Sequence, residues 1–357
     1  IAFALLSLAG DRPAQVLAAL MATTAFLSLW ISNTAAAMII APIAAGIAVT
    51  SGAGPRFGTA LMLGVAYAAT IGGIGTLIGT PPNAIFAACV AEAHGIEIGF
   101  AEWAAVGMPV AALLLLTAWA VLAFVTPRVG TARLHTSLDG ATGPMTAAEI
   151  RVAVLAAATA LAWMLRPTLE SVAPGLGISD AGIALTAVVA LALVPSGQGG
   201  ALLDWEHASR LRWDVLILFG GGLALAGLLE TSGLAGWIGA RAVVLEDLPL
   251  PALILAMAVL VVGLGELASN TAIASIFLPV AGAVAASLGA EPAEVLFPVA
   301  LAASLGFMLP VATPPNAIVF GPPWVGRAAM LRAGAMLDAT GIVLAVAAGN
   351  WLTRWVE

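Results

Sequence analysis

Two short polar motifs, each present twice, interrupt apolar stretches of the chain. Residues 32–34 and 269–271 both read Ser-Asn-Thr, residues 79–83 read Gly-Thr-Pro-Pro-Asn, and residues 312–316 read Ala-Thr-Pro-Pro-Asn. A proline pair removes two backbone donors and breaks a helix, so carbonyl groups are left without helical partners. Free N–H groups at the start of a half-helix suit an anion, and free carbonyls at the end of another suit a hard cation. The motifs therefore predict neighbouring sites for an anion and a cation.

The four breaks contain neutral polar groups only, with no arginine, lysine or histidine. A bound Na+ can then supply the positive charge that the anion needs, which links the binding of the two. Oxygen ligands alone argue against a transition metal, which favours His or Cys. One such tripeptide could equally serve helix packing or capping. Two pairs in the same order favour a binding site.

The spacing of the motifs indicates an internal duplication. The Ser-Asn-Thr copies begin at residues 32 and 269, and the Thr-Pro-Pro-Asn copies begin at residues 80 and 313, so the two separations are nearly equal. If the segments around 32–34 and 269–271 are re-entrant hairpins, five helices cross the membrane between them. An odd number of crossings gives the two copies opposite orientations, so an inverted repeat is predicted.

The composition excludes several other classes of protein. Of the 357 residues, 62% are hydrophobic and only 9% are charged, which excludes a water-soluble globular fold. A net charge of -7 argues against a nucleic-acid-binding surface. The single cysteine, Cys89, cannot build a disulfide framework or a thiolate metal site. We therefore predict an all-α polytopic membrane protein with broken helices.

Apolar blocks of roughly 20 residues, enough to span a bilayer, give the predicted elements. The remainder of the first inverted repeat, residues 1–135, has a re-entrant hairpin at 14–50, a broken helix at 58–94 and a helix at 104–126. The second inverted repeat, residues 146–355, has helices at 150–166, 178–195 and 213–244, a hairpin at 249–289, a broken helix at 292–320 and a helix at 333–353. We expect the three helices that the first repeat lacks to lie upstream of residue 1.

The arginines predict the orientation. Nine of them fall in loops assigned to the cytoplasm and three in loops assigned to the exterior, while the exterior loops are acidic. The first hairpin is therefore expected to enter from the cytoplasm and the second from the exterior. The expected location is the inner (plasma) membrane of a bacterium.

The four motifs together resemble the divalent-anion/sodium symporter family, which contains dicarboxylate, citrate and sulfate carriers. Residues 304–319, Ser-Leu-Gly-Phe-Met-Leu-Pro-Val-Ala-Thr-Pro-Pro-Asn-Ala-Ile-Val, match the family's C-terminal signature. The resemblance covers the chain from residue 14 to its end. It implies a homodimeric, elevator-type transporter in which a domain of hairpins and broken helices slides across the membrane against a scaffold.

The resemblance also implies a set of site residues. The first sodium site would comprise Ser28, Ser32, Asn33 and the carbonyl of Gly79, and the second would comprise Gly265, Ala268, Asn270 and Ala312. The substrate carboxylates would be held by Ser32, Asn33, Thr34, Thr80, Pro81, Ser269, Asn270, Thr271, Thr313 and Pro314. At position 265 the family can carry a hydroxyl residue, whereas this chain has glycine. Full occupancy of the second sodium site is therefore in question.

The functional prediction is sodium-coupled symport of a small dianion, in particular a C4-dicarboxylate such as succinate, malate or fumarate. Dicarboxylate exchange and transport of sulfate or citrate remain alternatives on the same fold, and an ion channel or a membrane-embedded enzyme is a more remote one. No catalytic residue is predicted and no cofactor is expected besides Na+ as the coupling ion. Two acidic residues near predicted breaks, Glu230 and Glu266, are each either buried structural groups or ligands for a cation or proton.

Overall fold

The computed structural model describes residues 12–126, 129–130, 145–197, 199–209, 248–321 and 323–356, with isolated positions between 217 and 237. Helices dominate, and the β contacts among these residues are two isolated bridges, Pro195 with Ala201 and Gly321 with Val325. The chain divides into two compact units. Unit 1 comprises residues 1–98, 103–139 and 218–357, and unit 2 comprises residues 99–102 and 140–217.

The first half of unit 1 begins with a helical hairpin. Helix α1 spans Pro13–Ser28 and α2 spans Asn33–Thr50. Proline stands at the first position of α1, where its missing N–H costs nothing. Ser32 is the N-cap of α2 and its hydroxyl oxygen accepts from the Ala35 N–H at 3.3 Å. The Ser-Asn-Thr motif thus forms the turn and the first residues of the second helix.

A broken helix follows this hairpin. Helix α3 spans Pro55–Ile74 and α4 spans Pro81–His94, with the non-helical segment 75–80 between them. The proline pair begins α4, as expected for residues that lack the N–H a preceding helix would need. Helix α5 spans Phe100–Ala120 and continues into a π-helical turn, Val121–Val125.

The second half of unit 1 has the same sequence of elements. Its hairpin consists of α10, Leu250–Gly265, and α11, Asn270–Leu288, with Ser269 as the N-cap of α11. Its broken helix consists of α12, Pro292–Ser304, and α13, Pro314–Val319, and the long helix α14 spans Arg327–Val356. The predicted broken helix at 292–320 thus consists of two helices separated by residues 305–313, and α14 begins before residue 333, its predicted start.

Unit 2 contains the remaining helices. These are α6, Ala147–Met164; α7, Arg166–Val172; α8, Asp180–Leu193; and α9, Trp205–Ser209. Thr146 and Glu149 form a capping box at the start of α6. Helix α8 is shorter than the predicted span 178–195, because Ser179 caps its start and Pro195 prevents its continuation. The predicted helix 213–244 lies largely outside the described residues.

Six of the described helical spans are long and apolar enough to cross a membrane. Five of them lie wholly or almost wholly in unit 1: α2, α3, α5 with its π-helical turn, α11, and the part of α14 up to Gly349. The sixth is α6 of unit 2. Shorter apolar helices, among them α1, α10 and α12, complete the hairpins and breaks.

The core of unit 1 forms around the two broken helices. Every residue of α3 from Phe57 to Ile74 is buried, and α12 is buried from Val295 to Ser304. Between them, the rings of Phe86, Trp103 and Phe297 form a cluster with centroid distances of 5.0 to 5.7 Å. Such edge-to-face pairs add roughly 0.5–1.5 kcal/mol each beyond the burial of area. This cluster therefore joins the first half of unit 1 to the second.

Truncation of the shared ring is expected to weaken both halves. Phe297→Ala removes a fully buried ring that contacts Phe86 and Trp103, and should lower the free energy of unfolding by about 3–5 kcal/mol. Thermal unfolding of the detergent-solubilised protein measures the effect. The matched control is Phe26→Ala on α1, where the ring is exposed and a change under about 1 kcal/mol is expected. Equal losses in the two variants would contradict the assignment of Phe297 as a central packing residue.

Candidate functional site

The first polar tip brings three oxygen atoms together. The Ser28 hydroxyl lies 2.8 Å from Asn33 Oδ1 and 2.6 Å from the carbonyl oxygen of Ala69. A hydroxyl has one hydrogen, so it can donate to only one of these acceptors at a time. The remaining lone pairs form the kind of oxygen cluster that suits a hard cation. Ser28 is fully buried on α1 and Ala69 is fully buried on α3, so the cluster lies inside unit 1.

Glycines allow the backbone to approach this cluster. A Cβ atom at Gly73 would lie 2.3 Å from Asn33 Oδ1, and one at Gly79 would lie 2.4 Å from the Gly73 carbonyl oxygen. At Gly72 the clash would be with the Ala25 carbonyl oxygen, also at 2.4 Å. No side chain fits at these distances. Sequence reasoning assigned a site role to Gly79 but missed Gly72 and Gly73, although the Gly-Gly pair directly before the break was a signal for them.

The broken helix of the first half is held by one asparagine side chain. Asn83 Nδ2 donates to the carbonyl oxygens of Gly73 at 3.0 Å and Thr76 at 2.8 Å, which the break leaves without helical partners. The Thr76 hydroxyl donates in turn to the Leu29 carbonyl oxygen at 2.7 Å, which ties the break to the hairpin tip. In lipid such carbonyls would each cost several kcal/mol if unsatisfied.

The broken helix of the second half repeats this arrangement. Asn316 Nδ2 donates to the carbonyl oxygens of Gly306 at 3.0 Å and Leu309 at 2.9 Å. The acceptors stand ten and seven residues before the asparagine, as they do for Asn83. Asn270 Nδ2 on the second tip donates to the Ser304 carbonyl oxygen at 3.3 Å, where α12 ends.

Three amide oxygens in this region remain free. The Oδ1 atoms of Asn83, Asn270 and Asn316 are buried and receive no hydrogen bond from the residues that the structure describes. Buried polar atoms are normally paired, and an exception calls for a ligand, an ion or water. These oxygens therefore extend the neutral, oxygen-rich character of the four breaks.

Among the differences between the second tip and the first, two lie at adjacent positions and change the polar groups present. Gly265 stands where the first tip has Ser28, so no hydroxyl is present there, and a Cβ atom at Gly265 would lie 3.8 Å from the Leu305 carbonyl oxygen. The next residue, Glu266, is 2% exposed and its two carboxylate oxygens accept from Met308 N at 2.8 Å and Leu309 N at 2.7 Å. Of the two roles open for Glu266 in the sequence, the structure shows a buried group that holds the tip to the break.

In unit 1, the helix that follows the tip of each half packs against the broken helix of the other half. Helix α2, which begins at the first tip, packs against α13 of the second broken helix. Helix α11, which begins at the second tip, packs against α4 of the first broken helix. Both tips and both broken helices thus belong to one crossed arrangement within unit 1. It brings the predicted site residues of each half next to elements of the other half.

The remaining site residues of the sequence analysis fall into two groups. The break residues Gly79, Thr80, Ala312 and Thr313 are buried, and the Thr313 hydroxyl accepts from Asn316 N at 3.3 Å. The tip residues are more accessible: Ser32 and Ser269 are exposed, while Asn33, Thr34, Ala268, Asn270 and Thr271 are partly exposed. Pro81 is partly exposed and Pro314 is exposed. Glu230 lies outside the described residues.

Unit 2 contains a groove that is separate from the predicted anion site. It measures about 410 Å³ and lies between α6 and α8, with mainly apolar residues along it. None of the predicted site residues line it.

Comparison with known proteins gives one family. The family model described as "Sodium:sulfate symporter transmembrane region" matches residues 1–357. A sodium-dependent dicarboxylate transporter, SdcS, of Staphylococcus saprophyticus is 34% identical over 97% of this chain and 70% of its own length. The SdcS protein of Staphylococcus aureus strain USA300 is 35% identical over 90% of this chain and 66% of its own length. The chain thus spans about two thirds of the length of these relatives.

The close approach at the first tip predicts a severe effect of one methyl group. Gly73→Ala places a carbon 2.3 Å from Asn33 Oδ1 and must displace the Asn33 side chain from the Ser28 hydroxyl. We expect the variant to lose most of the thermal stabilisation that added NaCl, compared with choline chloride, gives the purified protein. The matched control is Gly46→Ala on α2, where a Cβ atom meets nothing within 4 Å. Retention of the sodium effect in Gly73→Ala would contradict an ion site at this tip.

Proposed function

Because the chain belongs to the sodium:sulfate symporter family, we propose that it forms the transport core of a secondary active transporter that couples Na+ to the uptake of a small dianion. The family membership confirms an all-α, polytopic membrane protein, and the chain is a transporter component and not an enzyme. Its location is the bacterial inner (plasma) membrane, as a multi-pass protein. The proposed cargo is a C4-dicarboxylate, the substrate class in the names of both SdcS relatives.

The observation that carries this proposal is the pair of oxygen-lined tips without fixed positive charge. At the first tip Ser28, Asn33 and the Ala69 carbonyl converge on one buried point, and no cationic side chain belongs to any of the four breaks. A dianion held there by hydroxyls, amides and helix N-termini needs a counter-charge, which Na+ supplies. Binding of the ion then raises the affinity for the anion, and the reverse follows by linkage.

The proposed assignment of ligands follows the two halves. The first Na+ is held by Ser28, Ser32, Asn33 and the Gly79 carbonyl. The second is held by the carbonyls of Gly265, Ala268 and Ala312 with Asn270. The substrate carboxylates lie between the two tips, at the Ser-Asn-Thr side chains of residues 32–34 and 269–271 and at the hydroxyls and proline-bearing turns of residues 80–81 and 313–314. The four breaks would move together in an elevator motion, within a homodimer.

A second candidate is dicarboxylate exchange, favoured by one observation. Gly265 removes a side-chain oxygen from the second tip, whereas Ser28 supplies one at the first. A weaker second ion site lowers the coupling of transport to the sodium gradient. In the limit, counter-transport of an internal dicarboxylate would drive uptake instead.

Uptake into proteoliposomes tests the central proposal. Full-length protein should accumulate labelled succinate under an inward Na+ gradient, and replacing Na+ with K+ should abolish accumulation. Asn33→Ala and Asn270→Ala should each lose more than about tenfold of the rate, since each removes a proposed ligand of both ion and substrate. The control is Thr117→Ala on α5, whose hydroxyl bonds to Leu113 of its own helix and is exposed. Uptake that does not depend on Na+ but requires internal dicarboxylate would establish dicarboxylate exchange.

The asymmetry between the tips predicts a gain of function. Gly265→Ser restores the hydroxyl found at Ser28, and the nearest atom to its Cβ is a carbonyl oxygen at 3.8 Å, so the residue fits. We expect the sodium concentration for half-maximal uptake to fall about threefold to tenfold, as for one added ligand to a charge. Gly265→Ala is the matched control because it adds the carbon without the oxygen. A fall of equal size in both variants would show that packing, not ligation, causes it.

A further inference from the structure

The groove in unit 2 follows one stripe of α6. It measures about 410 Å³, within the range of roughly 300–1,000 Å³ that is usual for sites of small ligands. No residue of α6 or α8 is buried among the described residues, so both helices leave the groove accessible. The residues of α6 that line it are spaced three and four positions apart, as on one helix face: Leu155, Ala158, Thr159 and Ala162.

The hydroxyl groups along the groove are used within their own segments. The Thr159 hydroxyl donates to the Leu155 carbonyl oxygen at 2.8 Å. The Thr186 hydroxyl donates to the Gly182 carbonyl oxygen, also at 2.8 Å. Ser179 Oγ accepts from Gly182 N at 3.1 Å, because Ser179 is the N-cap of α8. A polar ligand would therefore find few partners in the groove, whereas an apolar chain would gain from the burial of its surface.

One end of the groove carries a neutralised arginine. Arg166 follows Ala162 by four residues, at the start of α7. Its guanidinium lies 3.3 Å from Asp180 Oδ1 and 3.9 Å from Glu102 Oε2. The Trp163 indole donates to the Asp180 carbonyl oxygen at 3.0 Å in the same corner. Two carboxylates around one guanidinium leave no net positive charge for an anion at this end.

The other end carries an arginine without an acidic partner among the described residues. Arg151 precedes Leu155 by four residues, so it continues the stripe that lines the groove. One N–H of its guanidinium donates to the Pro195 carbonyl oxygen. Glu149, the acidic residue closest to it in the sequence, is bonded instead to Thr146 in the capping box. A guanidinium has five donors, and the described residues leave the others unused.

The length of the groove matches one leaflet of a bilayer. Arg151 and Ala162 are 11 residues apart, which is about 16 Å of helix, and half of the roughly 30 Å hydrocarbon core is about 15 Å. A helix of that length and about 10 Å across has a volume of roughly 1,250 Å³, about three times the volume of the groove. The dimensions therefore fit an acyl chain better than a helix of a second copy.

We propose that unit 2 binds one anionic phospholipid, with an acyl chain in the groove between α6 and α8 and the phosphate group against Arg151. The guanidinium gives the phosphate charge-assisted hydrogen bonds, and the chain buries apolar surface along the stripe. Basic pockets between transmembrane helices on the cytoplasmic side bind anionic headgroups, and the arginine distribution predicts that residue 151 lies on that side. This lipid site is independent of the proposed sodium and substrate ligands, which belong to unit 1.

Native mass spectrometry of the delipidated full-length protein measures the binding. One dioleoyl phosphatidylglycerol per chain should bind in preference to dioleoyl phosphatidylcholine. Arg151→Gln should raise the Kd for phosphatidylglycerol about tenfold or more, since it removes a charged donor. The matched control is Arg56→Gln, which changes an exposed arginine of α3 and should leave the Kd unchanged. Equal Kd values for the two lipids, or equal effects of the two variants, would overturn the proposal.

A second pair of variants tests the groove itself. Ala158→Leu fills the groove without changing the charge and should also raise the Kd for phosphatidylglycerol. Ala157→Leu adds the same carbons at an exposed position of α6 outside the groove and should not. An unchanged Kd in Ala158→Leu would overturn the proposal, and a simultaneous change from dimer to monomer would assign the groove to a second copy.

Photolabelling of the wild-type protein gives a test that needs no variant. Phosphatidylglycerol with a photoreactive group in its acyl chain, added to the full-length protein, should label residues 155–162 or 178–190, which line the groove. Labelling confined to other segments would overturn the proposal even if the variants did not fold.

Discussion

The structure depends on the hydrogen bonds that two asparagines give to broken backbone. Each proline pair begins a helix after a non-helical segment, and that break leaves carbonyl groups without helical partners, a cost of several kcal/mol per group in lipid. Asn83 and Asn316 each satisfy two of these carbonyls with one amide nitrogen, at the same spacings along the chain. This contact therefore stabilises the two breaks, against which the oxygen-rich tips are placed.

The two halves of unit 1 use different chemistry to join tip to break. In the first half a neutral hydroxyl, Thr76, donates to the tip backbone. In the second half an acidic side chain, Glu266, accepts from the break backbone. The direction of donation is reversed, and an ionisable group is present on one side only. The duplicated motif thus has a neutral contact between tip and break in one half and a carboxyl contact in the other.

Much of this arrangement could be read from the sequence, because its signals are local. Ser-Asn-Thr caps and proline pairs act on the backbone within one turn, so the tips and breaks fall where the motifs are. Helix lengths were less predictable, because apolar composition alone extended the predicted helix at 178–195 beyond both ends of α8, which spans Asp180–Leu193. The contact of Asp338 with the second break, where its carboxylate accepts from Phe307 N at 3.4 Å, was missed because the two residues are 31 positions apart and lie on different elements. The close approaches of Gly334 to the Phe307 carbonyl and of Gly341 to Leu305 could not be predicted either, since the atoms approached lie on a segment distant in the sequence.

The crossed packing of the two halves has a consequence for synthesis of the chain. Helix α2 ends at Thr50 and its partner α13 begins at Pro314, so roughly 260 residues must be made before the two can meet. At the usual 5–20 residues per second this takes about 13 to 50 seconds. During that interval the first tip, with its polar groups, sits in the membrane or the translocon without the surface that will cover it. Each tip must therefore be stable in the membrane before the other half of unit 1 has been synthesised. The serine that caps the helix at each tip satisfies a backbone N–H during that interval as well as in the folded protein.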